Sequence, residues 1–372
     1  MSTSSFTPPP YPYERLKVLA EVASHHAGGM VDCSIGTPCD PPLESVVHAL
    51  ATSDAERGYP TSAGSVELRN AASSWMRRRF HVDVDPEELA SCVGTKEFVA
   101  SAAHYLSLRN PSAEVVLFPE ISYPTYAMGA RLAGLEPVPV PVEGGRLDLD
   151  AIDDQVARRA LMLWSNSPSN PTGDLDDLEA AAIWGRERSI PVLSDECYAE
   201  FTWADRPRTI LEQGLEGVIA VHSLSKRSNL AGLRVGFYAG DPELVGYLRS
   251  VRQHAGLMVP GPAQRAGAVA LSDDAHVDEQ RRRYSDRLGL MAGALRAAGY
   301  DAELPDGTFY LWVPVPDRLT DGWAMAAELA ERAGLLVSPG DLYGPAGADH
   351  VRVAVVQPVE VLELAVERLA QG

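Results

Sequence analysis

The chain is poor in cysteine, poor in positive charge and free of long apolar runs. Four cysteines, Cys33, Cys39, Cys92 and Cys197, are scattered through 372 residues. They form no C-x-x-C pair and have no histidine at metal spacing, so no metal site is expected. Sparse cysteine suits a reducing compartment, and a cytoplasmic protein is expected. Only 32 Lys and Arg stand against 51 Asp and Glu, a formal net charge of −19. Nucleic acids and anionic membranes require a basic footprint, so neither is an expected partner. No apolar run reaches membrane-spanning length. The Ser- and Pro-rich leader, residues 1–10, has no apolar stretch and does not read as a signal peptide. There is no internal repeat, and beyond the leader no low-complexity segment. His25-His26 and the His276–Glu279 spacing read better as exposed helix positions than as metal ligands.

What is present is an ordinary globular composition, 45% hydrophobic and 22% charged, long enough for two lobes. Helical spacing over 13–25 is followed by an extended stretch at 31–38. A helix is expected at 66–80. Helices at 97–108, 123–133 and 178–188 then alternate with short apolar strands at 114–118, 137–142, 160–164, 191–194, 218–222 and 235–239. That alternation predicts an α/β architecture, a mostly parallel sheet covered on both faces. After about residue 272 the texture changes. A long charged helix over 274–298 leads to a strand at 307–313, another helix, a strand at 351–356 and a closing helix at 359–369. The expected division is an N-terminal segment (1–45) packed with a small domain, a large domain (46–272) and the small α/β domain itself (273–372).

The most informative segment runs from Ser223 to Gly236. It places Lys226 just after a buried strand, with Ser223 and Ser225 before it and Arg234 eight residues on. An aldehyde cofactor with a phosphate tail needs an amine for its Schiff base, and hydroxyls and a guanidinium for its dianion. A surface lysine in a polar turn is the plainer alternative. Asn170, in a Pro- and Gly-containing turn, is placed at the C-terminal end of a strand, where α/β sheets bind ligands. Asp195 ends another strand with Tyr198 three residues on. It is a turn residue or, joined to Lys226, a carboxylate for a pyridine nitrogen. Gly94-Thr95-Lys96 opens a helix whose free N–H groups suit a phosphate. Tyr123 is either half-buried in a turn or stacked on a ring. Tyr59-Pro60 is an ambiguous loop-to-helix step. Arg352 interrupts an apolar strand, so it faces an anion-binding cavity or makes a structural ion pair. Phe309 belongs to the C-terminal core or approaches the substrate.

Together these segments, in order from about Ile35 to Val356, resemble the class I/II aminotransferases, fold type I of the pyridoxal-phosphate enzymes. The resemblance implies a mostly parallel seven-stranded sheet between helices, a smaller α/β domain, and pyridoxal 5′-phosphate as cofactor. It implies that Lys226 carries the cofactor and moves the proton between Cα and C4′. Asp195 would pair with the pyridine nitrogen, Tyr198 and Asn170 with the phenolic oxygen, and Tyr123 with the ring face. Gly94, Thr95, Ser223 and Arg234 would hold the phosphate, with Ser225 and Lys96 close by. Tyr59 would reach the phosphate of a neighbouring subunit, making a homodimer the working unit. Arg352, helped by Asn170 and the Gly36 backbone, would bind the substrate α-carboxylate.

More narrowly, the wording of Ser34-Ile35-Gly36-Thr37-Pro38, Gly94-Thr95-Lys96-Glu97, Tyr123-Pro124-Thr125-Tyr126 and Ser223 to Gly232 resembles actinobacterial N-succinyldiaminopimelate aminotransferases. That resemblance implies amino transfer between glutamate/2-oxoglutarate and N-succinyl-LL-2,6-diaminopimelate/N-succinyl-2-amino-6-oxopimelate in lysine and diaminopimelate biosynthesis. Lys96 and Arg227 depart from the wider family and are either readers of a distal carboxylate or scaffold. A transaminase for aspartate, alanine or an aromatic amino acid, a C–S lyase and a decarboxylating condensation enzyme share the same lysine and ring partners. A cofactor-binding regulator is disfavoured by the acidic charge and by the short stretch before the aminotransferase-like region.

Overall fold

A computed structural model describes residues 6–371; the first five residues of the leader lie outside that range. A 3-10 turn at Pro12–Leu16 runs into α1 (Lys17–Ser24), then β1 (Val31–Asp32), α2 (Glu44–Ala51), α3 (Val66–Phe80) and β2 (Leu89–Cys92). Next come α4 (Thr95–Arg109), β3 (Val115–Pro119), α5 (Thr125–Leu132), β4 (Glu136–Val140) and a hairpin of β5 (Val142–Glu143) and β6 (Arg146–Leu147). They are followed by α6 (Asp154–Ala157), β7 (Ala160–Asn166), α7 (Leu178–Arg188), β8 (Val192–Asp195), β9 (Val218–Ser223), α8 (Leu224–Arg227) and β10 (Gly236–Gly240). Then α9 (Pro242–His254), α10 (Gly261–Ser272) and α11 (Ala275–Ala297) precede β11 (Tyr310–Pro314), α12 (Gly322–Ala333), β12 (Leu335–Leu336), β13 (Ser338–Pro339), β14 (His350–Ala354) and α13 (Val359–Gln371).

Seven strands form the main sheet in the order β2-β10-β9-β8-β7-β3-β4. β10 is antiparallel to both neighbours, and the remaining pairs are parallel. Alternation of side chains sends Val115, Leu117, Leu163, Val192, Val218 and Ala220 to one face, against α3, α7 and α10. Val116, Phe118, Met162, Trp164, Leu193, Ile219 and Val221 go to the other, against α4, α5 and α9. Burial on both faces explains why these strands read as continuous apolar runs. A second core gathers α11, α12, α13 and the three-stranded sheet β11-β14-β13. The N-terminal segment joins this core, because β1 pairs in parallel with β12.

The sequence reading misses β2, α2, α9 and α10. Predicted helix 13–25 begins as a 3-10 turn at Pro12, where the ring cannot donate to a helix ladder. β11 starts at Tyr310, three residues later than expected. His276 corrects the exposed-position reading: its side chain is 11% exposed and bonds Asp273 and Ser228. Among the described residues no group of His, Cys, Asp and Glu is arranged to hold a metal, and no helix is long and apolar enough to cross a membrane.

Candidate active site

The C-terminal ends of β7, β8 and β9 open into a cavity of about 270 Å³. Into it the sheet delivers Asn170, Asp195, Tyr198, Ser223, Ser225 and Lys226. Thr95, Lys96 and Tyr123 arrive from the α4 and α5 ends, Gly36 from the N-terminal segment, Arg234 from the loop before β10, and Arg352 from β14. Gly94 lies immediately behind Arg234. Tyr59 lies apart from this cavity and is 99% exposed.

Lys226 sits on the single turn of α8, whose first turn is closed by Ser223 Oγ accepting from Ser225 N at 3.1 Å. Its ammonium donates to the Gly36 carbonyl and lies 5.9 Å from the Phe309 ring centroid. Phe309 itself is fully buried in the C-terminal core. Burial pushes the Lys226 pKa down to about 8; Cys197 opposes this, and the cations Arg352 and Arg234 add to it. An amine so placed loses its proton more readily than an ordinary lysine, and its neutral, nucleophilic form is reached from about pH 8 upward.

Asp195 accepts from the Tyr126 hydroxyl at 2.9 Å and from Cys197 N at 3.2 Å. No cation pairs with it among the described residues. Burial pushes its carboxyl up, against the hydrogen bonds from Cys197 and Tyr126. Such a carboxylate suits a buried N–H⁺ donor. Asn166 ties this loop to the next: its amide donates to the Asp195 carbonyl at 2.8 Å, and its oxygen accepts from Asn170 N at 2.8 Å.

The α4 N-terminus has Gly94 as N-cap, with no side chain closing its free N–H groups. A Cβ at Gly94 would stand 2.0 Å from Arg234 Nη2, so glycine lets the guanidinium lie against the helix start. Arg234 bonds only the Ala231 carbonyl and has no carboxylate partner among the described residues. A helix start, hydroxyls on Thr95, Ser223 and Ser225, and an uncommitted guanidinium make a cradle that could hold a phosphate.

Arg352 is 2% exposed and donates to Asn170 Oδ1 (2.7 Å) and the Ser34 carbonyl (2.6 Å). The guanidinium lies over Tyr310 (4.1 Å) and Tyr343 (4.7 Å), and its Nε has no partner. No carboxylate reaches it among the described residues, so the guanidinium is free to take an anion from the cavity. Tyr198 Oη meets Tyr310 Oη at 2.7 Å, and a Cβ on Gly36 would collide with Tyr310 Oη. Lys96 turns its ammonium to the rim, 3.0 Å from Tyr11 Oη. Of the two alternatives left open for Arg227, its contacts fit scaffold. It is 3% exposed, does not line the cavity, and bonds Glu200, Ser228 and the Ala270 carbonyl. Sequence reasoning gave no role to Tyr126, Asn166, Tyr310 or Tyr11. Tyr126 lies within a quoted motif, but only the fold brings it to Asp195.

Residues 29–369 match the family "aminotransferase class I and II". The probable aminotransferase Rv1178 of Mycobacterium tuberculosis is 41% identical, over 97% of this chain and 85% of its own. The 4-dedimethylamino-4-oxo-anhydrotetracycline transaminase OxyQ of Streptomyces rimosus is 39% identical, over 97% and 99%. The structure of a probable N-succinyldiaminopimelate aminotransferase from Thermus thermophilus superposes with a TM-score of 0.87 at 30% identity, covering 96% of this chain and 99% of that one. The buried amine, the uncommitted carboxylate and the phosphate cradle fit the cofactor of that family, and the chain belongs to the class I and II aminotransferases, which use pyridoxal 5′-phosphate.

Proposed function

We propose that this aminotransferase moves an amino group between glutamate/2-oxoglutarate and N-succinyl-LL-2,6-diaminopimelate/N-succinyl-2-amino-6-oxopimelate, serving lysine and diaminopimelate biosynthesis. One observation carries the substrate class: two cations, Arg352 and Lys96, line the same cavity, and neither pairs with a carboxylate among the described residues. Arg352 holds the α-carboxylate beside the reacting carbon. Lys96 takes a distal carboxylate, which both glutamate and the succinylated acceptor carry. Burial draws the Lys96 pKa down, but contacts with Tyr11 and Tyr123 raise it above the usual value, so it stays a cation at neutral pH. The likeness to the Thermus protein supports the same reading.

Pyridoxal 5′-phosphate supplies an aldehyde for the amine and a ring that accepts the electron pair left at Cα. Around it, Asp195 keeps the pyridine nitrogen protonated, Tyr198 and Asn170 hold the phenolic oxygen, and Tyr123 covers the ring. Gly94, Thr95, Ser223 and Arg234 retain the phosphate, with Ser225 and Lys96 near it. With the cofactor in place, Lys226 Nζ would take the proton from the substrate Cα and return it at C4′. The working unit is a homodimer in which Tyr59 reaches the neighbouring site, in keeping with its exposure. Four unpaired cysteines suit a cytoplasmic setting.

A second reading is favoured by the 39% identity to OxyQ over nearly all of both chains and by the aromatic rim of Tyr11, Tyr13 and Tyr123. On that reading the acceptor is a flat polycyclic ketone. Purified enzyme with N-succinyl-diaminopimelate and 2-oxoglutarate should form glutamate. No glutamate there, with turnover of a polycyclic ketone, aspartate or an aromatic amino acid, would remove the first reading. Continued turnover of an amino acid without any oxo acid would indicate a lyase.

A further inference from the structure

Lys226 and Gly36 meet in the cavity from segments far apart in sequence, and one face of α11 holds both segments. His276 and Gln280 are four residues apart on that helix, so their side chains share a face. His276 Nε2 lies 2.9 Å from Ser228 Oγ, and its Nδ1 lies 2.8 Å from Asp273 Oδ1. Gln280 accepts from Asn229 Nδ2 at 3.1 Å and donates to Asp40 Oδ2 at 2.8 Å. Arg287, farther along α11, grips the same Asp40 carboxylate with both terminal nitrogens, at 2.6 and 2.7 Å.

Ser228 and Asn229 directly follow the turn that carries Lys226. Ser228 closes that turn, its N–H bonding the Leu224 carbonyl, and Asn229 holds a left-handed φ of 56°. Asp40 lies four residues after Gly36, whose carbonyl receives the Lys226 amine. Gln280 is 3% exposed and both ends of its amide are engaged. Turning the amide over would set NH₂ against NH₂ at Asn229 and oxygen against carboxylate at Asp40, so only one orientation works. Neither His276 nor Gln280 lines the cavity.

We propose that Gln280, with His276, is a positioning residue for Lys226. It fixes the loop after the lysine against the 36–40 segment, and so fixes where the amine stands in the cavity. This rests on Lys226 as the reacting amine, and the test separates the two claims. Gln280→Glu places two carboxylates face to face at Asp40. Asp40→Asn combined with Gln280→Glu restores a donor facing an acceptor. Arg282→Gln, on the exposed side of α11, is the control.

Two quantities are read: kcat and KM for the amino donor, and the labelling of Lys226 relative to Lys17 by an amine-directed reagent in cofactor-free protein. Displacing a reacting group by a fraction of an ångström lowers kcat of Gln280→Glu about tenfold or more. KM for the donor stays within about twofold, because Arg352 and Asn170 bind it from other elements. The Lys226:Lys17 labelling ratio changes about threefold or more, the effect of half a pKa unit on the amine. The double variant regains most of both, and Arg282→Gln changes neither. If Gln280→Glu does not fold, Gln280→Leu is read the same way. Unchanged kcat and labelling ratio, or a double variant no better than the single, would overturn the positioning role. Full activity in Lys226→Ala would instead overturn the underlying assignment of the lysine.

Discussion

Gly94→Ala separates a backbone effect from a cofactor effect. The residue has φ 72° and ψ 147°, a region that essentially only glycine occupies, so alanine costs about 1–3 kcal/mol of strain. The added Cβ would also stand 2.0 Å from Arg234 Nη2 and 2.4 Å from its Cζ. Ordinary contact begins at 3.4 Å, so the terminal nitrogen must retreat by 1.4 Å (3.4 minus 2.0). A guanidinium can do that by rotating its flexible stem, leaving the chain folded. But a displaced fork no longer meets a phosphate, and each charge-assisted hydrogen bond lost costs about 1.5–3 kcal/mol. Cofactor affinity should fall about tenfold to a hundredfold per lost bond. Gly134→Ala is the control, because Gly134 has φ 75° with nothing within 4 Å of an added Cβ. Cofactor titration of the apoprotein should show weakened binding for Gly94→Ala and wild-type binding for Gly134→Ala, while urea melts show lost stability in both. Wild-type affinity in Gly94→Ala, or equal loss in the two variants, would refute the cradle.

Other groups of the site give equally direct outcomes. Lys226 is held at about 8, whereas an unfolded lysine titrates at 10.5. The unfolded chain therefore binds more protons between those values, and stability rises with pH across that window. Below pH 8 the penalty is fully present. Cofactor-free Lys226→Met should then exceed cofactor-free wild type by on the order of 3 kcal/mol at pH 7, the gap closing toward pH 10.5, as denaturant melts across pH will read. Tyr126→Phe removes one of the two donors to the Asp195 carboxylate and should cost about 1.5–3 kcal/mol in cofactor-free protein at pH 7. That deficit should shrink as the pH falls and Asp195 takes up a proton.

The parallel core was legible because its strands are apolar on both faces. Leu161-Met162-Leu163-Trp164 and Val218-Ile219-Ala220-Val221 admit no amphipathic reading. β2, Leu89-Ala90-Ser91-Cys92, was not, since small mixed residues carry no period. α10 was hidden by Gly261-Pro262 at its start and by alanine-rich burial on most sides. Lys226, Asp195, Asn170 and Arg234 were legible because polar residues recur at the ends of apolar strands, and Arg352 because a guanidinium interrupts one. Arg227 could not be assigned from sequence, because its buried partners lie far along the chain: Glu200 and the Ala270 carbonyl. Tyr126, Asn166 and Gln280 act through partners 69, 29 and 240 residues away, and no local pattern announces such pairs.

The central claim is that the amine of residue 226 is the one joined to the cofactor. The chain contains three lysines, Lys17, Lys96 and Lys226, so the attachment point is readily resolved. Holoenzyme reduced with borohydride and digested should give one pyridoxyl-bearing peptide, containing Lys226. A label on Lys96 or Lys17, or an unlabelled chain after full reconstitution, would contradict the account.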